Sequence, residues 1–140
     1  MSLKNSKYIF QSFFCFFGTW LYWFLGGWDG LLYSLVAFIA VDYVSRALLG
    51  VLERNLNSEM GYRCILRKLY IIMLVGVANI LDVYILGNGG LIRTATILFF
   101  VSNEGLSILE NASRAGLPVP VKVSDVLSKF KQMETVNKIK

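Results

Sequence analysis

Between Leu69 and Leu86 the chain reads LYIIMLVGVANILDVYIL, 18 residues with one charged side chain, Asp82. A helix of that length rises about 27 Å, close to the ~30 Å hydrocarbon core of a bilayer. Three more runs have the same character: Tyr8 to Leu25, with no charged residue, Leu31 to Leu52, and Leu91 to Leu109. Helix is the form expected of each, because lipid offers backbone polar groups no partner outside the segment. The expected fold class is therefore an all-α integral membrane protein with about four transmembrane helices. In the fourth run Arg93, Ser102, Asn103 and Glu104 break the apolar pattern, so a re-entrant or interfacial segment is the alternative there.

Composition agrees. The chain has 140 residues, of which 56% are apolar and 16% charged. Typical soluble domains have roughly 45–50% and 25%. A soluble chain this short could not bury such an excess. The absence of His removes the commonest general base and metal ligand at neutral pH. Cys15 and Cys64 fall in an apolar run and a charged connection, so neither a disulfide nor a thiolate metal site is expected. Gly87-Asn88-Gly89-Gly90 lacks the Lys-Ser/Thr that would make it a phosphate loop. Enzymatic chemistry and a bound cofactor are not expected.

The connections set the topology. Gly26-Gly27-Trp28-Asp29-Gly30 and Gly87-Asn88-Gly89-Gly90 are short turns between antiparallel helices. The middle connection, Glu53 to Lys68, is longer and carries Arg54, Arg63, Arg67 and Lys68. Lys4 and Lys7 precede the first run; Arg114, Lys122, Lys129, Lys131, Lys138 and Lys140 follow the fourth. Twelve of the 14 basic residues thus lie on one side of a four-span layout. The positive-inside rule then puts both termini in the cytoplasm, as an even number of spans requires. Trp20, Trp23, Trp28 and Tyr33 mark the opposite interface as an aromatic belt. The N-terminus also has the basic start of a secretion leader, but no small-x-small cleavage pattern follows Leu25. The net charge of +5 is spread by topology rather than gathered in a nucleic-acid stripe.

Two regions follow: a four-helix transmembrane domain over 1–112 and a basic cytoplasmic tail over 113–140. Gly116-Leu117-Pro118-Val119-Pro120 is a helix-breaking exit from the membrane. Beyond it Val119, Val123, Val126, Leu127, Phe130 and Met133 recur at helical spacing, with Lys122, Lys129 and Lys131 among the polar positions. That pattern predicts a short amphipathic helix lying on the anionic inner leaflet.

Ionisable groups within spans are costly, so they mark structural or functional devices. The candidates are the ionisable Asp42, Arg46, Asp82, Arg93 and Glu104, with the neutral amides Asn79 and Asn103. Asp42 and Arg46 share a helix face at i, i+4 and can pair. Depth along the helices predicts two further pairs, Asp82–Arg93 near the outer ends and Arg46–Glu104 near the inner ends. Such groups either fix register inside one bundle or satisfy one another between copies. Ala40 and Ala47, and the Ala112-to-Gly116 spacing, would allow close helix approach.

Certain of these residues resemble a family pattern. Val41-Asp42-Tyr43, the linker with Gly61 and Arg67-Lys68, and Asn79-Ile80-Leu81-Asp82 form its first part. Leu91-Ile92-Arg93-Thr94-Ala95 and Asn103-Glu104-Gly105-Leu106-Ser107-Ile108-Leu109-Glu110-Asn111, followed by Gly116-Leu117-Pro118-Val119-Pro120, form the more specific second part. Together they look like the bacteriophage lysis and toxin-secretion holin family, over roughly Leu31 to Gln132. The chain departs from that pattern at Ser45-Arg46, where relatives tend toward a small residue and Gly, so the resemblance lends Arg46 no role.

The resemblance implies a protein that gathers in the bacterial cytoplasmic membrane, associates with itself, and opens lesions. Through these a murein-degrading endolysin, or in relatives a large toxin, passes without necessarily touching it. Asp42, Asp82, Asn103, Glu104 and Glu110 match family positions. The rival from another class is a small four-helix transporter or ion channel; the multidrug exporters of that size place a Glu in the first helix, where this chain has no charge. A passive scaffold that recruits a partner through its C-terminal helix is the third reading.

Overall fold

The computed structural model describes residues 2–87 and 89–123, with Asp125, Val126, Lys129 and Gln132. Those residues form four long helices: α1 (Ser2–Phe24), α2 (Gly30–Leu52), α3 (Ser58–Ile80) and α4 (Leu91–Arg114). The end of α3 runs on into a π-helical turn, Leu81–Leu86. Among the described residues three helices are long and apolar enough to cross a membrane: α2, α3 with its π turn, and α4. The sequence-based count was four. α1 has the length, but aromatic and polar side chains in it replace the aliphatic ones that dominate the other three.

Two boundaries differ from the sequence expectation. The basic stretch expected to connect the second and third runs is mostly helix, because Asn57 caps α3 by accepting the Glu59 N–H at 3.1 Å. Glu59 then pairs with Arg63 one turn on, at 3.0 Å. Only Glu53–Asn57 remains as connection, and Lys68 therefore sits well inside a helix rather than at its mouth. The fourth run is one unbroken helix despite its polar residues. At the start of α2, Asp29 accepts the Leu32 N–H at 2.9 Å, a cap worth about 1 kcal/mol.

Burial follows one stripe per helix, and polar residues occupy positions in those stripes. On α2 the buried residues are Leu32, Leu35, Asp42 and Leu49. On α4 they are Arg93, Ile97, Glu104 and Asn111. α3 turns Lys68, Ile71, Val75, Ala78 and Asn79 inward. Leu25, Leu32, Leu35, Ile71, Val75 and Ile97 make one apolar core. The outward faces carry Phe, Leu, Ile and Val in numbers that water would not tolerate. This is the arrangement of a chain whose outer solvent is lipid.

α2 packs most extensively on α4, and α3 closes the bundle against α4. α1 meets the others only near its C-terminal end, where Leu21, Phe24 and Leu25 reach the core. The seat is specific. A Cβ on Gly76 would land inside the Phe24 ring, so only glycine lets α1 approach α3 there. Trp23 lies beside Tyr84 of the π turn, with ring centroids 6.4 Å apart.

The substitution Gly76→Leu is expected to expel Phe24 and release α1, at a cost of about 1–3 kcal/mol. Amide exchange in detergent micelles checks this: residues 18–25 should exchange faster while α2 and α4 keep their protection. Unchanged exchange at 18–25 would mean that the Phe24 seat does not hold α1.

Candidate functional site

The buried polar residues fall into two groups at opposite ends of the apolar core. The first centres on Lys68. Its ammonium lies 2.5 Å from Asp42 Oδ2 on α2 and also donates to Glu104 Oε2 on α4. All three residues are buried, Asp42 completely. Arg46 reaches back one turn to Asp42 at 3.2 Å, the i, i+4 geometry expected, and donates to Ser107 Oγ at 2.7 Å. Asn111 donates to Ser45 Oγ at 2.8 Å and to Asp42 Oδ1 at 3.4 Å. Two carboxylates thus face two cations, and three helices are joined through one ammonium. Every buried side-chain nitrogen and oxygen among the described residues has a partner.

The second group centres on Arg93. Its Nε donates to the Leu25 carbonyl at 2.6 Å, Nη2 to the Gly27 carbonyl at 3.1 Å, and Nη1 to Asp29 Oδ2 at 2.8 Å. Carbonyls at a helix C-terminus have no partner within the helix, so a guanidinium fork answers them well. Asn79 performs the same service for the Phe24 carbonyl at 3.1 Å. Gly26, in a left-handed conformation at φ +78°, leaves no room for a Cβ beside Asn79 and Arg93. Asp82 accepts the backbone N–H groups of Ile92 at 3.0 Å and Arg93 at 2.7 Å. It caps α4 from the neighbouring helix, at the end where the helix dipole favours a negative charge. The residues enclose an open cleft of about 500 Å³ lined by Gly26, Asp29, Asn79, Asp82, Gly90 and Arg93.

Two expected pairings are replaced. Arg46 does not pair with Glu104, because Lys68 lies between α2 and α4 and takes that carboxylate. Asp82 does meet residue 93, but through its backbone N–H; the guanidinium turns to Asp29 and the α1–α2 turn. Asn103 joins neither group. It is exposed on α4, and none of the described residues hydrogen-bonds its side chain. In the tail Lys122 and Lys129 are exposed, whereas Lys131, Leu127, Phe130 and Met133 lie outside the described residues.

Lys68, Asp29, Ser45, Ser107 and Asn111 were not among the sequence candidates. For Lys68 a signal existed: it precedes Ile71, Val75 and Ala78 at helical spacing and so shares their buried face. Counting it with the surface lysines of a connection hid that signal.

A bundle of apolar-faced helices tied internally by charge pairs defines a class, the small polytopic α-helical membrane protein. Comparison with known sequences makes the assignment closer. The profile of the bacteriophage holin family matches residues 19–132, and the chain belongs to that family. It is a family of lesion-forming membrane proteins, not of catalysts. An uncharacterized protein of Clostridium perfringens is 37% identical over 126 residues, covering 89% of this chain and 90% of the relative. An uncharacterized protein of Listeria monocytogenes is 38% identical over 114 residues, 81% of each chain. A protein named as a probable holin, from Bacillus phage phi105, is 32% identical over 87 residues, 62% of this chain and 64% of its own. No solved structure matches.

Two outcomes are expected. Lys68→Met leaves the buried Glu104 without a cation and Asp42 with Arg46 alone, and should cost about 3–5 kcal/mol. The triple change Lys68→Met, Asp42→Asn, Glu104→Gln removes the charges together and should recover a large part of that loss. Thermal unfolding in detergent checks both; equal damage from the single and the triple variant would refute the charge account. At the other end, the hydrogen bond from Arg93 holds the Asp29 carboxyl below its ordinary value of 3.8. A depressed carboxyl stabilises the fold at neutral pH and loses that contribution as acidity passes through the carboxylate range. Asp29→Asn should therefore flatten the acid limb of a stability–pH curve, and an unaltered limb would show that Asp29 does not contribute to it.

Proposed function

We propose that this chain acts as a phage-type holin in the cytoplasmic membrane of a bacterium. In this reading α1 crosses with the three more apolar helices, making four spans, and both termini lie in the cytoplasm. Residues 1–112 form the membrane domain, and residues 113–140 a basic tail held at the inner leaflet by Lys122, Lys129 and Lys131. Copies accumulate, associate, and open lesions through which an endolysin, or a toxin in a host that encodes one, reaches the cell wall. Association with other copies and with lipid needs no direct contact with that cargo.

One observation carries the proposal. In a chain of the holin family, the acids deepest in the helices, Asp42, Asp82 and Glu104, are all buried and answered by donors from neighbouring helices. A bundle so arranged can be stored in lipid without harm, since no charge from these acids faces the acyl chains. The orientation has its own support. Arg114 at the end of α4 pairs with Glu53 at the end of α2 at 3.0 Å, which collects basic residues at one end of the bundle. Lys4, Arg54, Arg63 and Arg67 are exposed toward the same compartment in this layout.

Expression in bacteria with and without a cytoplasmic murein hydrolase tests the function. Abrupt lysis that depends on the hydrolase, after a period of normal growth, is the expected result. Altered resistance to cationic drugs without lysis would instead identify a transporter. If deletion of Val121–Lys140 abolished activity outright rather than shifting its timing, the tail would be a recruiting element and the chain a scaffold.

A further inference from the structure

α1 carries a stripe that its own bundle does not use. Gln11, Cys15, Gly18 and Tyr22 follow at i, i+4, i+7 and i+11, the spacing of one helix face, and all four are exposed. Leu21, Phe24 and Leu25, which root α1 in the core, lie about a quarter turn away around the helix. The root is fixed, because Arg93 holds the Leu25 carbonyl and Asn79 holds that of Phe24. The small and polar stripe, like the rest of α1 from Lys4 to Trp20, is therefore left uncovered by its own bundle.

α4 has an unused face as well. Ala95, Leu98, Phe99, Ser102 and Asn103 are exposed along it. Asn103 is the costly member, since an amide in lipid without a partner is unfavourable and helix association is one way to satisfy it. The bond from Arg93 to the Leu25 carbonyl puts the end of α1 and the start of α4 at the same level, so depths on the two helices can be compared. Gln11 lies 14 residues before Leu25, and Asn103 lies 12 after Leu91, or about 21 and 18 Å from that common level. By the same measure Cys15 meets Ser102, Gly18 meets Leu98, and Tyr22 meets Ala95. Large faces small in the upper pairs, and polar faces polar in the lower two.

We infer that α1 of one copy seats on the exposed face of α4 of a second copy, antiparallel, with Gln11 and Asn103 exchanging amide hydrogen bonds. The inference deepens the holin reading and rests on its insertion of α1 and its self-association. Because the two surfaces of each copy differ and lie on different helices, the contact is heterologous and propagates from copy to copy. It builds arcs or rings of open size rather than a closed pair.

Cross-linking in membranes tests the contact. The full chain is prepared with Cys15→Ser and Cys64→Ser, and two differently tagged copies are co-expressed, one with Gln11→Cys and one with Asn103→Cys. Oxidation should give a mixed-tag disulfide dimer, and a single chain carrying both substitutions should give a ladder. The pair Gly18→Cys with Leu98→Cys should behave alike, whereas Phe13→Cys, on the opposite face of α1, should not couple to Asn103→Cys. With the Gly18–Leu98 reporter, adding Asn103→Leu should lower mixed-dimer yield about threefold, the weight of an average interhelical hydrogen bond in a membrane. Three results overturn the inference: a disulfide formed only within one chain, Gln11→Cys coupling only to itself, or no mixed dimer although the unsubstituted chain lyses cells with the hydrolase. Mixed dimers in a chain that never lyses would uphold the contact and count against the holin reading instead.

Discussion

One ammonium in the interior governs the bundle. Lys68 stands between Asp42 on α2 and Glu104 on α4, and its removal strands the Glu104 carboxylate away from water. A buried ion pair is not in itself a large source of stability, because desolvation consumes most of the attraction. Its effect lies in the alternatives it forbids. A slip of one turn between any two of these helices would separate the partners, so the network sets the register that apolar packing in lipid leaves loosely defined.

The four helices were legible in the sequence as apolar runs of bilayer length, although among the described residues three of them, α2, α3 with its π turn and α4, are long and apolar enough to cross. The i, i+4 pair of Asp42 and Arg46 was legible too, being a property of one helix. Pairings between helices were less so. Depth alone matched Arg46 to Glu104 and Asp82 to Arg93, yet depth does not say which way a side chain turns around its helix. A lysine from a third helix decided the first case. In the second, the guanidinium found stronger company in two orphan carbonyls and the Asp29 carboxylate. The start of α3 was misplaced for a related reason: positive charge reads as membrane surface, whereas Asn57 and Glu59 make those same residues a helical turn before the membrane is reached.

The polar ends do different work. Around Lys68 the bonds run from side chain to side chain and join helices along their length. Around Arg93 most run from side chain to backbone and answer groups that the chain exposes whenever a helix stops inside a low-dielectric medium. Asn79, Asp82 and Arg93 each satisfy the end of a helix other than their own. That end is therefore a joint, held by a few directional bonds and one glycine-dependent approach of Phe24, rather than a packed interface.

This division locates where the protein can change shape. The unit of α2, α3 and α4 is bound by charges that must stay together, so it moves as a block or not at all. α1 is attached to that block through its last turn, by the bonds from Arg93 and Asn79 and the seat of Phe24, and is exposed over the remainder. A transition that turns stored single copies into an assembly must alter surfaces without breaking the block. Under the proposed assembly, a helix whose outer length is free to seat on another copy while Lys68 keeps its partners meets that condition. The physical logic then runs from one buried lysine outward: by fixing three helices, it leaves the fourth as the variable one.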